Sequence, residues 1–402
     1  MKILSSLFLA IFVSASIITP VFTQPTSNLA RSDNQFAFDL YSRLSIEKGN
    51  VFFSPYSLSS ALGMAYEGAR DKTAQEMRAV LHLSTDNVDR QSGISTFIHQ
   101  INRPDKAYEL AVANALWAQK TYPFKGAYVS LVKDIYSAEV RNLDFKSDLD
   151  ASRLTINSWV SQHTQNRIND LLPPGSISSD TRLILTDAVY FKGQWDTPFR
   201  KQFTKPDTFW VDPGQAVQVE MMQLNGKSFN YTDNDQSQIL QLPYQGKDLS
   251  MLIILPRLKD IQGLEKMLTL GVIEQWQDGM AFQKVNVFLP KFRFDSSHQM
   301  SDILEKMGMK LAFDGQNADF SGMTGDKGLF IDKVYHKAWI DVDEEGTEAA
   351  GATAIGIKAL AMRFEPLQPK VFRADHPFIF VIQENKTGHI LFMGRVSDPR
   401  GK

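Results

Sequence analysis

The sequence predicts an α+β fold built as a single large domain. Apolar residues recur every three or four positions between Ser32 and about Leu172, which is the spacing of amphipathic helices. From Arg182 onward the chain changes to short runs of β-branched and aromatic residues, which are typical of strands. No linker rich in Gly, Ser or Pro divides the halves, and no internal repeat is present. One domain is therefore favoured over the two or three that the 402 residues would allow.

Two helices are predicted clearly in the first half, over Phe36 to Leu44 and Leu58 to Gly68. Ser54 is suited to cap the second of these helices, and Pro55 fits its first turn because no intrahelical hydrogen bond is needed there. With 43% hydrophobic residues the chain can bury a large core. The aromatic residues interpreted as core include Trp159, Phe191 and Phe199.

The second half is punctuated by Pro256, Pro290 and Pro243-Tyr244, which end strand-like runs. Helical spacing returns in two places, Leu264 to Trp276 and Ile303 to Met309. The predicted strands are Leu183 to Phe191, Ile239 to Leu242, Ser250 to Leu255, Val285 to Pro290, Phe378 to Ile382 and Ile390 to Val396.

The N-terminus is interpreted as a signal peptide over residues 1–23. Met1-Lys2 is a short basic start, and the apolar run from Ile3 to Ile18 ends among small residues. A membrane anchor is the alternative, but the run is short for a span. Cleavage after Ser16 or after Thr23 is compatible with the sequence, so the mature start stays open. We expect a secreted, extracellular protein, or a periplasmic one if the source is bacterial.

Composition excludes several partners and chemistries. The 43 Lys and Arg residues nearly balance 45 Asp and Glu, so nucleic acid and anionic membranes are not expected partners. The absence of cysteine rules out disulfides, thiolate metal sites and a cysteine nucleophile. Two glycosylation acceptor triplets, Asn230-Tyr231-Thr232 and Asn385-Lys386-Thr387, are common by chance and receive no functional weight.

No enzyme motif is present. The sequence lacks a Gly-x-Ser-x-Gly elbow, a His-Glu-x-x-His helix, a phosphate-binding Gly-rich loop and a dinucleotide fingerprint. Its histidines are dispersed, without i, i+4 or His-x-His pairs, so neither a metal nor a cofactor is expected. These histidines are His82, His99, His163, His298, His336, His376 and His389. We therefore predict a protein that is not an enzyme.

The most unusual stretch runs from Asp341 to Phe364. Its alanines favour a helix. Gly351 and Gly356, however, each destabilise a helix by about 1 kcal/mol relative to alanine, and the interspersed β-branched residues also disfavour one. No proline interrupts Gly346 to Glu365, so this stretch can join the interior of a sheet. About twelve residues in a strand span about 40 Å. The composition suits a loop that later becomes a strand. The alternative interpretations of this stretch are a flexible linker and an Ala-rich helix.

From Ser32 to Pro399 the chain resembles the serpins. The similarity rests on the hinge-like segment Asp343 to Ala350, preceded by His336-Lys337-Ala338, and on four further segments that occur in the family's order. These segments are Asn50 to Ser57, Thr186 to Trp195, Leu289 to Phe292 and Asp375 to Phe378. Asp187 and Asp343 depart from the asparagine of many members, which keeps a hydrogen-bond acceptor but loses a donor.

The resemblance implies a single domain over residues 32–399, with three β-sheets, about nine helices and a reactive loop at about 344–370. It implies a metastable, monomeric inhibitor of serine proteases that traps its target as an acyl-enzyme when the cut loop inserts into the main sheet. It also implies a sheet-opening region that includes Ser54, Lys192 and His336. The hinge residues that it implies are Glu345, Gly346, Thr347, Glu348, Ala349, Ala350, Gly351, Ala352 and Thr353.

The same resemblance places the reactive bond between Leu360 and Ala361. A leucine there favours proteases of chymotrypsin-, elastase- or subtilisin-like specificity. Cleavage after Met362 or Arg363 is the alternative, and Arg363 would suit a trypsin-like pocket. Other functions remain open as well: a non-inhibitory carrier or chaperone with the same fold, an inhibitor of cysteine proteases, or a hydrolase without a familiar motif.

Overall fold

The computed structural model describes residues 28–347 and 368–401, and these residues form ten α-helices, two short 3-10 helices and fifteen strands. The α-helices are α1 (Asn28–Leu44), α2 (Pro55–Gly68), α3 (Asp71–Val80), α4 (Asn87–Ile101), α5 (Gly126–Tyr136), α6 (Leu149–His163), α7 (Ile261–Met267), α8 (Leu270–Asp278), α9 (Ser301–Met307) and α10 (Ser321–Thr324). The 3-10 helices span Lys201–Phe203 and Leu311–Phe313.

The first seven strands are β1 (Val51–Phe53), β2 (Tyr108–Gln119), β3 (Glu139–Leu143), β4 (Leu183–Gln194), β5 (Lys205–Asp212), β6 (Gln215–Asp233) and β7 (Ser237–Pro243). The remaining strands are β8 (Leu249–Pro256), β9 (Ala281–Pro290), β10 (Phe292–Gln299), β11 (Ile331–Val342), β12 (Gly346–Thr347), β13 (Lys370–Arg373), β14 (Phe378–Glu384) and β15 (Ile390–Val396). The predicted α+β class is confirmed.

The strands are connected by hydrogen bonds into two sheets. The six-stranded sheet has the order β10-β11-β12-β4-β2-β3, and the nine-stranded sheet has the order β1-β15-β14-β8-β7-β6-β9-β13, with β5 also paired to β6. The long strand β6 is irregular between Leu224 and Lys227, where its partners change, so the nine-stranded sheet has two parts that share β6 and β9. Three sheets were expected. When sheets are counted by continuous hydrogen bonding, the described strands form two.

Ser54 caps α2 as predicted. Its hydroxyl oxygen accepts a hydrogen bond from the backbone N–H of Ser57, and Pro55 occupies the first turn. Because the Ser54 hydroxyl accepts from one amide of the first turn and Pro55 has no N–H to satisfy, the helix can begin in a buried environment. The start of α2 is thereby fixed beneath the six-stranded sheet.

The core has three parts, one of which lies on the outer face of the six-stranded sheet. There α6 covers β2, β4 and β11, and Trp117 and Trp159 pack edge to face with ring centroids 5.4 Å apart. The other two parts lie among α1, α2 and the sheets and between the two sheets. The expected core residues Trp159, Phe191 and Phe199 are 5%, 1% and 4% exposed. The sheet that contains β4 and β11 thus has packed material on both faces.

Candidate functional site

The central feature of the six-stranded sheet is a parallel seam between β4 and β11. Eight registered pairs join the strands, from Leu183 opposite Ile331 to Tyr190 opposite Trp339. The two neighbours on the outside, β2 and β10, are antiparallel to β4 and β11 respectively. The seam is therefore a parallel joint within a largely antiparallel sheet, and a strand running the other way would pair antiparallel with both of its sides.

Strand β12 begins such an arrangement at one end of the seam. Thr347 is antiparallel to Val342 of β11 and to Gly193 of β4, and Gly346 lies opposite Gln194. Thr347 is 1% exposed, and its Oγ1 lies 2.8 Å from the hydroxyl oxygen of buried Tyr244. Two residues of a strand therefore already lie between β4 and β11.

The turn from β11 to β12 is held by hydrogen bonds on both of its sides. Oδ1 of Asp343 accepts from the backbone N–H of Glu345 at 2.8 Å and of Gly346 at 3.2 Å. The indole of Trp195 donates to the carbonyl oxygen of Asp343 at 3.0 Å, and its backbone N–H donates to that of Glu345 at 2.8 Å. The aspartate at position 343 uses its side chain only as an acceptor in these contacts, so the amide donor of an asparagine is not required for them.

Glu344 anchors this turn to the body of the protein. Its carboxylate is buried, accepts a hydrogen bond from Thr204 Oγ1 at 2.7 Å and lies 2.9 Å from Lys291 Nζ. Burial acts to raise the pKa of Glu344, but the hydrogen bonds from Thr204 and Lys291 outweigh it and hold the pKa below its ordinary value. Next to it, Glu345 pairs with Lys201 at 3.0 Å at the surface.

Two glycines make the close approach of β12 to β4 possible. A Cβ at Gly346 would lie 2.1 Å from the carbonyl oxygen of Gly193, and a Cβ at Gly193 would lie 2.7 Å from the ring of Phe191 and 2.9 Å from that of Tyr244. A larger residue at Gly346 would require β4 to shift, and one at Gly193 would displace the rings of Phe191 or Tyr244. The sequence Gly346-Thr347 is thus fitted to this point of the sheet.

A buried polar cluster lies beneath the seam where α2 begins. His336 of β11 and Asp187 of β4 are opposite each other in register, and Nδ1 of His336 lies 2.9 Å from Oδ2 of Asp187. The backbone N–H of Ser54 donates to Nε2 of His336 at 3.1 Å, which requires the neutral imidazole with its proton on Nδ1. His336 therefore donates to the carboxylate of Asp187, and this hydrogen bond crosses the seam.

Two further residues complete this cluster. The hydroxyl of Ser57 donates to Oδ1 of Asp187, and the side-chain amide of Asn114 donates to the Ser57 carbonyl oxygen at 2.9 Å. The hydroxyl of Ser54 donates to the Leu391 carbonyl oxygen at 2.7 Å, which connects the cluster to the nine-stranded sheet. The buried carboxylate thus accepts a hydrogen bond on each oxygen, as a charge in the core must.

His298 of β10 lies opposite His336 in register and extends the polar line toward the sheet edge. Its Nε2 lies 2.7 Å from the hydroxyl oxygen of Ser296. Burial lowers the pKa of His298 to about 4. His298 is therefore neutral at physiological pH.

The structure brings together Ser54 and His336 of the expected sheet-opening residues but separates Lys192 from them. Lys192 lies nearer the end of β4 and pairs with Glu109 of β2 at 3.5 Å. Of the expected hinge, the structure describes Glu345, Gly346 and Thr347. The remaining hinge and reactive-bond residues, together with the signal peptide at 1–23, lie outside the described residues. These site residues are Glu348, Ala349, Ala350, Gly351, Ala352, Thr353, Leu360, Ala361, Met362 and Arg363.

Sequence reasoning did not single out Ser57, Asn114, Tyr244 and Lys291 as parts of the site. Ser57 stands within the segment Asn50 to Ser57 that carries the family resemblance, so its role could have been inferred there. Tyr244 lies far from the hinge in sequence and contacts Thr347 through its hydroxyl, and Asn114 joins the cluster around Asp187 through the pairing of β2 with β4. These contacts depend on the tertiary fold.

Some features of other protein classes do not occur in the part of the chain that the structure covers. No helix in 28–347 or 368–401 is both long and apolar enough to cross a bilayer. Within the same ranges, no three His, Asp or Glu side chains converge in a way that could hold a metal ion.

The comparison with protein families matches residues 31–399 to the model described as serpin (serine protease inhibitor). A serpin-like protein of Thermococcus kodakarensis is 44% identical over 368 residues, which cover 91% of this chain and 85% of that protein. Human serpin B4 is 40% identical, covering 93% of this chain and all of its own length. The leukocyte elastase inhibitor of Xenopus laevis is also 40% identical, covering 92% of this chain and 100% of its own.

Solved structures agree with this likeness. Serpin48 of the insect Tenebrio molitor has a TM-score of 0.82 and 33% identity, with 92% of this chain and 98% of that chain covered. Human thyroxine-binding globulin has a TM-score of 0.84 and 30% identity, with the same coverage of both chains. The matched structures therefore include a protein named for binding a small molecule.

Proposed function

Because the chain belongs to the serpin family, a family of protease inhibitors, we propose that it is a secreted suicide-substrate inhibitor of serine proteases. The protease would attack the reactive loop at about 344–370 and form an acyl-enzyme. The cut loop would then enter the seam between β4 and β11 as a new strand. The protease, still attached to that strand, would be carried along the sheet and deformed.

The observation that carries the proposal is the position of β12 at the mouth of the seam. It follows β11 through a three-residue turn, and it is antiparallel to β11 and β4 at once. If β12 were extended in the same direction, the next residues would run between the two strands. The direction, the neighbours and the small residues at Gly346 and Thr347 all favour insertion.

The gain in hydrogen bonds supports a metastable starting state. Insertion would break one parallel ladder of eight registered pairs and form two antiparallel ladders of similar length. At about 0.5 to 1.5 kcal/mol for each net hydrogen bond, one additional ladder of that length gives about 4 to 12 kcal/mol. This is comparable to the stability of a whole domain, so insertion could supply the work needed to deform a protease.

The register also suits the sequence of the loop. If the pairing of Thr347 with Val342 and Gly193 is continued residue by residue, Thr353 would lie level with both His336 and Asp187. Those are the residues whose hydrogen bond must break when the seam opens. A threonine hydroxyl can both donate and accept, so Thr353 is able to replace the lost partner.

We further propose that the reactive bond joins Leu360 to Ala361, with Met362 or Arg363 as the alternative bait residues. A leucine favours targets of chymotrypsin-, elastase- or subtilisin-like specificity. The likeness to a relative named leukocyte elastase inhibitor supports this choice. Secretion is part of the proposal and is supported by the apolar run that follows Met1-Lys2.

A non-inhibitory carrier is the second candidate, because thyroxine-binding globulin, solved in complex with thyroxine, is among the similar structures. The small residues of the hinge argue against it. Thr347, Ala349, Ala350 and Gly351 present no charged or bulky side chain to a closing sheet. A carrier would be cut without trapping the protease.

The test is denaturing electrophoresis after the mature protein is mixed in turn with chymotrypsin, elastase, subtilisin and trypsin, with mass spectrometry of the released C-terminal peptide. We expect a boiling-resistant adduct and a peptide that begins at Ala361. A peptide that begins at Phe364 would move the bait residue to Arg363. Cleavage without an adduct by all four proteases, and without a gain in heat stability, would exclude inhibition of these serine proteases. A matched trial with papain would then test inhibition of a cysteine protease.

A further inference from the structure

We propose that Arg167 clamps the seam between β4 and β11 and thereby limits the rate at which the sheet opens. This inference rests on the proposed function, because it concerns the step in which the loop enters the sheet. Arg167 is a positioning residue in this role. It would act on the two strands that must part and would contact neither the protease nor the reactive bond.

The guanidinium of Arg167 lies over one aromatic ring from each side of the seam. It is 5.9 Å from the ring centroid of Tyr190 on β4 and 5.5 Å from that of Trp339 on β11. The two rings lie 6.0 Å apart, and the residues are the last registered pair of the seam, next to β12. Arg167 therefore bridges the strands at the point where an inserting strand would first have to separate them.

The segment after α6 places Arg167 there. Gln165 and Asn166 both have left-handed backbone conformations, with φ of 51° and 60°, which turn the chain sharply back over the sheet. The side chain of Gln165 donates to Glu109 of β2 at 3.2 Å, and Ile168 is fully buried. The position of Arg167 is thus fixed on both of its sides.

The segment that follows α6 contacts β11, on the other side of the seam, through its later residues. Oγ1 of Thr181 donates to Asp332 at 2.8 Å, and the hydroxyl of Tyr335 lies 3.5 Å from the carbonyl oxygen of Ser176. The segment from Thr164 to Thr181 therefore crosses from the β2 side to the β11 side. The side chain of Arg167 touches both strands of the seam.

Opening the seam would remove this double contact. Neighbouring strands lie about 4.8 Å apart, so a strand inserted between β4 and β11 would move Tyr190 and Trp339 apart by about that distance. Both distances from Arg167 are already close to the limit of about 6 Å for a cation–π contact. One guanidinium could then cover only one ring, so the contact stabilises the closed sheet more than the open one.

Arg293 of β10 provides a matched control. Its guanidinium lies 5.4 Å from the Trp339 ring centroid and it pairs with Asp341 at 3.9 Å. It thus contacts the same indole, but only from the β11 side, because β10 and β11 are paired with each other. Loss of Arg293 should change the surroundings of Trp339 without changing the bridge across the seam.

The experiment measures entry into the seam without a protease. The intact mature protein is incubated with a fluorescent synthetic peptide of the sequence Thr347 to Lys358, and incorporation is followed by native electrophoresis. The unsubstituted chain is compared with Arg167→Met, Arg167→Lys and Arg293→Met. Thermal unfolding is recorded for each protein before and after proteolytic cleavage of the loop.

We expect Arg167→Met to incorporate the peptide two- to fivefold faster, which corresponds to about 0.4 to 1 kcal/mol of lost stabilisation of the closed seam. Arg167→Lys should incorporate the peptide at a rate between those of Arg167→Met and the unsubstituted chain, and Arg293→Met should incorporate it at the rate of the unsubstituted chain. After cleavage of the loop, all four proteins should unfold at the same temperature. Unchanged incorporation by Arg167→Met, or equal acceleration by Arg293→Met, would overturn the clamp but leave the inhibitor proposal intact. Absence of both incorporation and protease adducts in the unsubstituted chain would overturn both.

Discussion

Under the proposed mechanism, replacing Thr347 with arginine should convert the protein from an inhibitor into a substrate of the protease. Thr347 is 1% exposed, lies between β4 and β11 and has its hydroxyl 2.8 Å from that of Tyr244. An arginine at this position would point its guanidinium into a buried site lined by Tyr244 and Phe191. We expect β12 to leave the sheet rather than bury the charge.

The size of the effect follows from desolvation. Burying an unpaired ion costs several kcal/mol even after the protein relaxes. A penalty of about 4 kcal/mol on the entry of the first residue would slow insertion about a thousandfold. Hydrolysis of the acyl-enzyme would then precede insertion in nearly every encounter, so that the protease is released and the inhibitor is consumed.

The assay is the ratio of boiling-resistant adduct to cleaved chain after reaction with a protease that the unsubstituted protein traps. Thr347→Ser is the matched control, since it keeps the hydroxyl that faces Tyr244 and loses only a methyl group; it should trap nearly as well. If Thr347→Arg formed adducts in the same yield as Thr347→Ser, entry of residue 347 into the sheet would not be required for trapping, and the proposed mechanism would be wrong.

Three further predictions concern the residues that hold the closed state. Glu344→Gln should destabilise the hinge turn by about 2 kcal/mol, because the side chain no longer carries a charge toward Lys291. In the unsubstituted chain the pKa of Glu344 is lowered, so this stabilisation should be present above the ordinary glutamate pKa and lost as the pH falls through the lowered one. Hydrogen exchange at β12, measured against pH, checks both expectations. Asp187→Asn should change the free energy of unfolding by about 1 kcal/mol or less, since the hydroxyl of Ser57 can accept from the new amide. Asp187→Ala should cost about 2 to 6 kcal/mol in denaturant titrations, because it leaves two buried donors, the Nδ1–H of His336 and the hydroxyl of Ser57, without their acceptor. Equal losses in the two variants would contradict the assigned hydrogen bonds. The pKa of His298 is lowered from 6.5 to about 4, so this residue should contribute about 3 kcal/mol to the free energy of unfolding above pH 6.5, and this contribution should be lost as the pH falls toward 4. His298→Gln should flatten the pH dependence of the free energy of unfolding over this range. An unchanged profile would refute the assignment.

The sequence predicted the fold class well where local signals were strong. The cap at Ser54, the helix that it starts and the strand that contains Leu183 to Phe191 are all present. It missed β2, a strand of twelve residues in the half that was predicted to be mainly helical. Four alanines and two leucines in Tyr108–Gln119 favour a helix locally, but pairing with β3 and β4 and burial beneath α6 override that preference.

Of the candidate site, the sequence could predict only the residues that are consecutive in the chain. Glu345, Gly346 and Thr347 follow one another, and the structure places all three in the turn or in β12. Tyr244, which contacts Thr347, is distant in sequence and carries no local signal. Lys291, which pairs with Glu344 of the same turn, lies in the segment Leu289 to Phe292 that carries the resemblance, but its pairing depends on the tertiary fold. Lys192 and His336 were grouped through the family resemblance, yet they lie at different heights along the seam.

The register of β12 gives the alternation of residues in the proposed reactive loop a definite interpretation. Side chains at the same level of a sheet share a face, so Thr347 lies on the side of Val342, which is buried between the sheets. In an inserted strand, Ala349, Gly351 and Thr353 would follow on that inner side.

Residues of the other parity would face α6. Ala350 would reach the level of Tyr190 and Trp339, which belong to the core beneath that helix, and Ala352 and Ala354 would follow it. These three side chains are all alanines, so they add little bulk beneath α6, and the charged residues of this parity, Glu348 and Lys358, stand at the two ends of the run. The small residues on one face and the single threonine level with Asp187 on the other are therefore both explained if the loop is built to enter this seam.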